Sequence, residues 1–348
     1  MNPYVLTVLL SSLGLGTTLT FASSHWLLAW MGLEINTLAI TPLMAQHHHP
    51  RAVEATTKYF LTQATAAAMI LFASTTNAWM TGEWSINELS NPLASTTFVA
   101  ALALKIGLAP MHFWMPEVLQ GLDLMTGLIL STWQKLAPLA LLIQTAQTID
   151  PSLLTMLGIT STLVGGWGGL NQTQLRKILA YSSIAHMGWM IIVMQYAPQL
   201  TLMALGMYIV MTSAAFLTLK VSLTTKINTL ATTWSKSPIL TSTTALIMLS
   251  LGGLPPLTGF MPKWLILQEL TKQDLPIIAT AMALAALISL YFYLRLCYAM
   301  TLTISPNMIN AITPWRTQTT QTSLSLAMFT TAALGLLPMT PAILMLTT

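Results

Sequence analysis

Gly107-Leu108-Ala109-Pro110-Met111-His112-Phe113-Trp114-Met115-Pro116 reads as a helix that stops and starts again. Gly253-Leu254-Pro255-Pro256-Leu257-Thr258-Gly259-Phe260-Met261-Pro262 reads as the same event a second time. The two segments agree at Gly, Leu, one Pro, Met and the closing Pro, with an aromatic residue before each Met, at a constant offset of 146 residues. Proline lacks an N–H and collides with the carbonyl four residues back, so an α-helix cannot run through such a stretch. Gly107, Pro110 and Pro116 in the first copy, and Gly253, Pro255, Pro256 and Pro262 in the second, are therefore assigned as helix breaks.

The surrounding chain decides what these breaks interrupt. Of 348 residues, 54% are hydrophobic and only 6% are charged, with a mean hydropathy of +0.69. Soluble domains carry about 25% charged residues, so no water-soluble surface can be built here. Apolar runs near the length of about twenty residues that crosses a bilayer recur along the whole chain. They predict helices at 3–22, 25–45, 56–80, 93–109, 123–146, 149–171, 175–195, 198–223, 239–270 (broken), 276–302 and 323–346. The expected fold is an all-α integral membrane protein of about eleven transmembrane helices. The 146-residue offset covers five of them, an odd number, so the second copy enters the membrane in the opposite sense. That is an inverted repeat, with residues 1–146 and 147–302 as two five-helix units and 303–348 as a terminal helix.

The links divide by charge. Those on the N-terminal side hold Arg51, Arg176, Lys177, Lys226, Lys236 and Arg316; the others hold Glu83, Glu88, Asp150 and Asp274, with one base, Lys272. The positive-inside tendency then places the N-terminus in the cytoplasm or matrix and the C-terminus on the other side.

Several functions fall away. The thirteen basic residues form no run or aromatic-interleaved patch, so nucleic acid is not an expected partner. Cys297 stands alone, which excludes disulfides within the chain and cysteine-ligated iron-sulfur clusters. The first fifty residues contain no Lys or Arg, so neither a secretory nor an import leader is expected. His47, His48 and His49 sit in a link beside Pro50 and Arg51, where solvation is favoured over metal binding. Gly165, Gly166, Gly168 and Gly169 around Trp167 lie inside a predicted span, and close helix packing is favoured over a phosphate loop.

What remains is charge at membrane depth. Glu34 and Lys135 fall near the centres of the second and fifth spans, Lys105 two residues before Gly107, and Lys263 directly after Pro262. A charge at a helix centre costs about 2.5–3.5 kcal/mol by insertion scales, so the four cost roughly 10–14 kcal/mol unpaired. One Glu–Lys bridge, or a lysine reaching for the interface, accounts for only part of this, since three lysines face one mid-span acid. A surplus buried lysine either finds water or gives up its proton, which is the behaviour a proton relay needs. His186, within Ala180-Tyr181-Ser182-Ser183-Ile184-Ala185-His186-Met187-Gly188-Trp189, is a candidate neutral link, with Tyr181, Ser182 and Ser183 as candidate water holders. Glu54, Lys58, Glu117, Asp123 and Lys177 lie nearer span ends, where a solvated role is expected.

These residues carry a resemblance. Met31-Gly32-Leu33-Glu34-Ile35-Asn36, the Lys105–Pro116 segment, Trp133-Gln134-Lys135-Leu136-Ala137-Pro138, Tyr181–Trp189 and Gly252–Lys263 are together similar to the antiporter-like subunits of respiratory complex I. The resemblance implies that Glu34, Lys105, Lys135 and Lys263 are proton-relay residues on a central hydrophilic axis. It also implies a mitochondrial inner-membrane location, where the charge partition above puts the N-terminus in the matrix and the C-terminus in the intermembrane space. The implied partners are membrane lipids and other membrane subunits of the complex, neighbouring antiporter-like subunits among them. NADH, FMN, iron-sulfur clusters and ubiquinone are expected elsewhere in the assembly, with no cofactor or metal in this chain. The family's fuller pattern has fourteen helices, and about three at the N-terminal end are missing here, which implies that neighbours cover the first unit. Two other functions stay open: a stand-alone cation/proton antiporter, disfavoured by the lack of clustered aspartates in the spans, and a non-transporting membrane scaffold.

Overall fold

The structure, a computed structural model, describes residues 2–46, 48–235, 237–303 and 324–347. His47, Lys236 and Arg316 lie outside the described residues. Among these residues the regular structure is helical, apart from isolated bridges pairing His25 with Ser85 and Gln174 with Lys226.

The chain forms two compact units, Met1–Ser161 and Thr162–Thr348. The first contains α1 (Pro3–Ala22), α2 (Trp26–Met44), α3 (Pro50–Thr81), α4 (Pro92–Ile106), α5 (Trp114–Gly121), α6 (Leu124–Thr145) and the start of α7 (Pro151–Gly169). The second continues with α8 (Leu175–Val193), α9 (Pro198–Val221), α10 (Ile227–Ala231), α11 (Pro238–Gly252), α12 (Phe260–Lys272), α13 (Pro276–Thr301), α14 (Leu324–Gly335) and α15 (Thr340–Thr347).

Prolines set the helix starts. Pro3, Pro50, Pro92, Pro198, Pro238 and Pro276 occupy the first turns of α1, α3, α4, α9, α11 and α13, where a missing N–H costs nothing. Asn2, His25, His49 and Asn91 cap α1 to α4 by accepting the amide two residues on, at 3.1–3.2 Å. His49 therefore serves as a helix cap. That cap also explains why α3 begins at Pro50, six residues before the expected 56. Threonine suits these helices because its hydroxyl donates back to the carbonyl three or four residues earlier, as at Thr37, Thr132, Thr145, Thr212 and Thr218.

By length and hydropathy α1, α2, α6, α9 and α13 can cross a membrane. The α14–α15 pair adds a sixth crossing if it counts as one. It is bent by 68° at a 3-10 turn through Leu337–Met339, so the single span expected at 323–346 is kinked where Gly335 and Pro338 interrupt it. Two short helices, α5 and α10, fall where no helix was anticipated. Within the second unit the glycine-rich end of α7 packs closely, as its sequence suggested: a Cβ on Gly165 would lie 2.7 Å from the Ala185 amide, and one on Gly169 would lie 2.8 Å from the Phe292 ring.

The two breaks start and end at matched positions. α4 and α11 start at Pro92 and Pro238, end at Ile106 and Gly252, and resume as α5 and α12 at Trp114 and Phe260, all at the 146-residue offset. Gly107 and Gly253 close the first halves in the left-handed region, with φ, ψ of 83°, 44° and 81°, 44°. In each, the glycine amide and the next amide return to one carbonyl, Ala103 or Leu249, in a Schellman turn. Pro116 and Pro262 sit in the first turns of α5 and α12, where they begin the second halves rather than end the first.

Candidate functional site

A helix that stops inside an apolar layer leaves carbonyls that must find partners. At the first break they find neutral ones. The Leu104 carbonyl accepts Trp114 Nε1–H at 2.9 Å, and the Lys105 carbonyl accepts the Gln63 amide from α3 at 3.4 Å. The Lys105 side chain is left out of this closure. Its residue is 6% exposed, and its Nζ is buried with no hydrogen-bond partner. Glu34 is the charge whose field acts on it, and the same field acts on Tyr59. Glu34 Oε2 is also buried without a hydrogen-bond partner, so the acid and the amine influence each other through space.

Lys105 lines a small cavity of about 10 Å³. Lys135 of α6, 2% exposed, lines it too. Polar groups make up much of the remaining wall: Asn36 and Thr37 from α2, Tyr59 and Gln63 from α3, and Gln134 beside Lys135. Pro138, another wall residue, lacks the N–H that would bond the Gln134 carbonyl. One cavity wall of the first unit thus holds two lysines, three side-chain amides and a phenol.

The second unit treats its lysine differently. Lys263, in the first turn of α12, reaches back across the break and donates to the Gly252 carbonyl at 2.7 Å. A cation on the last carbonyls of α11 complements its dipole and caps it. His186 sits in α8 with its ring 5.6 Å from that of Tyr208. Ser182 and Ser183 donate to the carbonyls of Leu179 and Ala180, and Tyr181 lies against Gly168. Of the five candidate relay residues, Lys105 and Lys135 meet at one cavity with Glu34 acting on the first, while His186 and Lys263 belong to the other unit.

Sequence reasoning passed over Asn36, Gln63 and Gln134, although an amide within an apolar span is itself a signal. It also passed over Arg295 of α13, which donates to the Leu170 carbonyl just past α7. Glu54, Lys58 and Glu117 form an exposed chain, with Lys58 Nζ 2.8 Å from each carboxylate. No group of three or more His, Cys, Asp or Glu stands together among the described residues.

Residues 23–289 match the family described as NADH:quinone oxidoreductase/Mrp antiporter, TM, and residues 290–344 match NADH dehydrogenase subunit 2 C-terminus. The NADH-ubiquinone oxidoreductase chain 2 of Cyprinus carpio is 91% identical over 348 residues, and that of Danio rerio 78%, each with full coverage of both chains. A chain of respiratory complex I from Thermus thermophilus, solved with bound aureothin, superposes with a TM-score of 0.87 at 29% identity, covering 99% of this chain and 80% of that one. A chain of the Mrp complex from Dietzia shares the fold, with a TM-score of 0.85 at 15% identity over 97% of this chain and 76% of that one. With its breaks, its buried lysines and its full-length relatives in agreement, the chain belongs to the NADH-ubiquinone oxidoreductase chain 2 family, the antiporter-like membrane subunits of respiratory complex I.

Proposed function

We propose that this chain moves protons as a non-redox, multi-pass subunit in the membrane arm of NADH:ubiquinone oxidoreductase in the mitochondrial inner membrane, with Glu34, Lys105, Lys135, His186 and Lys263 as its stations. One observation carries the reading: the Lys105 amine is buried, without a hydrogen-bond partner, on the wall of a cavity it shares with Lys135. A lysine with only a structural role would be expected to stay on a carbonyl or an acid. Lys105 does neither, and the carbonyls beside it are already satisfied by Trp114 and Gln63. Lys263, a station in this reading, carries a proton when it leaves the Gly252 carbonyl it caps.

The mechanism is electrostatic. The Glu34 carboxylate favours an ammonium at Lys105; when that negative charge is neutralised or drawn away, the ammonium loses its counter-charge and passes its proton on toward Lys135. Redox chemistry, with NADH, FMN, iron-sulfur clusters and ubiquinone, belongs to other subunits, and other membrane subunits, neighbouring antiporter-like ones included, are the partners. An inverted repeat of two five-helix units and a matrix N-terminus complete the reading. The matched construction of the two breaks supports the repeat, and the charge partition supports the orientation.

The test is to assemble the enzyme with Lys105→Arg in sealed vesicles and to measure NADH oxidation and proton uptake together. Arginine keeps the charge but cannot release a proton at accessible pH, so pumping through this subunit should collapse almost as fully as with Lys105→Ala. An assembled Lys105→Arg enzyme with an unchanged ratio of protons to electrons would reduce Lys105 to a structural counter-ion.

A further inference from the structure

Asn36 stands on the cavity wall with both Lys105 and Lys135. It is 2% exposed, and neither Oδ1 nor Nδ2 of its amide has a hydrogen-bond partner in the protein. Buried amides are nearly always satisfied, so an amide orphaned at both ends, from a residue lining the same cavity as the orphaned Lys105, marks a place built for something small and polar.

The amide is held there by its neighbours. α1 and α2 approach so closely that a Cβ on Gly32 would lie 2.8 Å from the Gly16 carbonyl, and a Cβ on Gly16 would strike Asn36 Oδ1. The side chain therefore lies over a bare glycine of α1. The Asn36 carbonyl accepts the Gln134 amide at 3.3 Å, which ties this point of α2 to the residue preceding Lys135. A volume of about 10 Å³ is close to the least that accommodates one water, and a buried water needs two to four polar partners.

We propose that Asn36 is a positioning residue that fixes one water between Lys105 and Lys135, and that the proton leaving Lys105 travels through it. The Lys105 ammonium gives a proton to the water oxygen as the water gives one of its own to the neutral Lys135 amine. The products are a neutral Lys105, a Lys135 ammonium and an unchanged water. Asn36 accepts from or donates to that water without titrating, so it sets the water's orientation at every proton load. The inference rests on the relay reading above and names the element between its two lysines.

The experiment uses the assembled complex in sealed vesicles, with Asn36→Leu, similar in shape and unable to hydrogen-bond, and Asn36→Ser, smaller and still polar. Asn36→Leu should lower coupled NADH oxidation by about tenfold or more and enlarge the rate difference between H₂O and D₂O, while Asn36→Ser should stay within about threefold of the natural enzyme. A purely structural Asn36 would leave the isotope effect unmoved. Natural rates and isotope effect in Asn36→Leu would overturn the proposal, and so would an assembled Asn36→Ser enzyme as slow as Asn36→Leu. If Asn36→Leu does not assemble, water-resolving imaging of the natural complex decides: density within hydrogen-bond distance of both Lys105 Nζ and the Asn36 amide supports the proposal, and its absence overturns it. The Lys105→Arg enzyme separates the two readings. If it pumps normally the relay itself fails, whereas collapse of Lys105→Arg with a normal Asn36→Leu removes this inference alone.

Discussion

The two helix breaks share the way their first halves end and differ in where they put a lysine. Both first halves end at a left-handed glycine with the same Schellman turn. At the second break the ammonium of Lys263 closes the helix end on the Gly252 carbonyl. At the first, Trp114 and Gln63 do the closing, and Lys105 is left facing a polar cavity. The aromatic position makes the contrast concrete, because the counterpart of Trp114 at the 146-residue offset is Phe260, whose ring has no N–H to offer. One kind of helix end can thus be kept while a few side chains decide whether the nearby lysine caps it or lines a polar cavity.

The largest effect after loss of Lys105 itself should come from Glu34, because it is the carboxylate whose charge acts on Lys105. Glu34→Gln removes the charge while keeping the shape. The enzyme should assemble, with coupled turnover slowed on the order of tenfold, as loss of a counter-charge at this depth predicts. Assembled Glu34→Gln enzyme with natural turnover would erase the electrostatic difference between the breaks.

Next come the glycines. A side chain at a left-handed position costs about 1–2 kcal/mol, so Gly107→Ala and Gly253→Ala should both lower the dissociation temperature of the complex. They should not do so equally. A Cβ at Gly107 meets Met115 and Trp114 at 3.4 Å, ordinary to tight contact, whereas one at Gly253 lies 2.8 Å from Lys263 Nζ and drives the cap away. Losing a charged hydrogen bond adds about 1.5–3 kcal/mol, and Gly253→Ala should be the worse by that margin. Equal losses would mean that the Lys263 cap contributes little.

Trp114→Phe then tests the first break from its own side, since it installs the residue found at the second without the lysine cap. The Leu104 carbonyl loses a neutral hydrogen bond, so the expected loss is about 0.5–1.5 kcal/mol, read from the same dissociation temperature. Double substitution with Gln63→Leu should exceed either change alone, because two carbonyls of one helix end then lose their partners.

Much of this is legible in the sequence. Glycine and proline punctuate the chain so strongly that both breaks, and their common offset, follow from the residues, and charges in a 6%-charged chain draw attention to Lys105, Lys135 and Lys263. The side-chain partners were not legible. Trp114 reaches the Leu104 carbonyl from the far side of the break, and Asn36 lines the lysines' cavity while its amide lies over Gly16 of α1. Such contacts depend on how neighbouring helices meet, which a one-dimensional pattern does not hold. The bend before α15 was missed for the opposite reason: Gly335 and Pro338 were visible, but the continuous apolar run around them read as one span.

The smallest effect is expected at Glu117, which the 146-residue offset pairs with Lys263. The same station in the two breaks therefore carries opposite charges, and they turn in different directions. Lys263 turns inward to a carbonyl of the preceding half-helix; Glu117 meets Lys58 of α3 at 2.8 Å, where Glu54 meets the same ammonium at 2.8 Å. The side chains of Lys58 and Glu117 are 43% and 53% exposed, so water and salt screen their attraction. Removing Glu117 still leaves Lys58 its second carboxylate. Glu117→Gln should therefore leave the ratio of protons to electrons unchanged and alter coupled turnover by less than about twofold. Any difference should fade at about 1 M salt, where the screening length falls to about 3 Å. A large loss that salt does not remove would show that a neighbouring subunit covers this pair in the assembled enzyme. The glutamate would then be a buried anchor, and the two breaks would differ less in function than their exposed surfaces indicate.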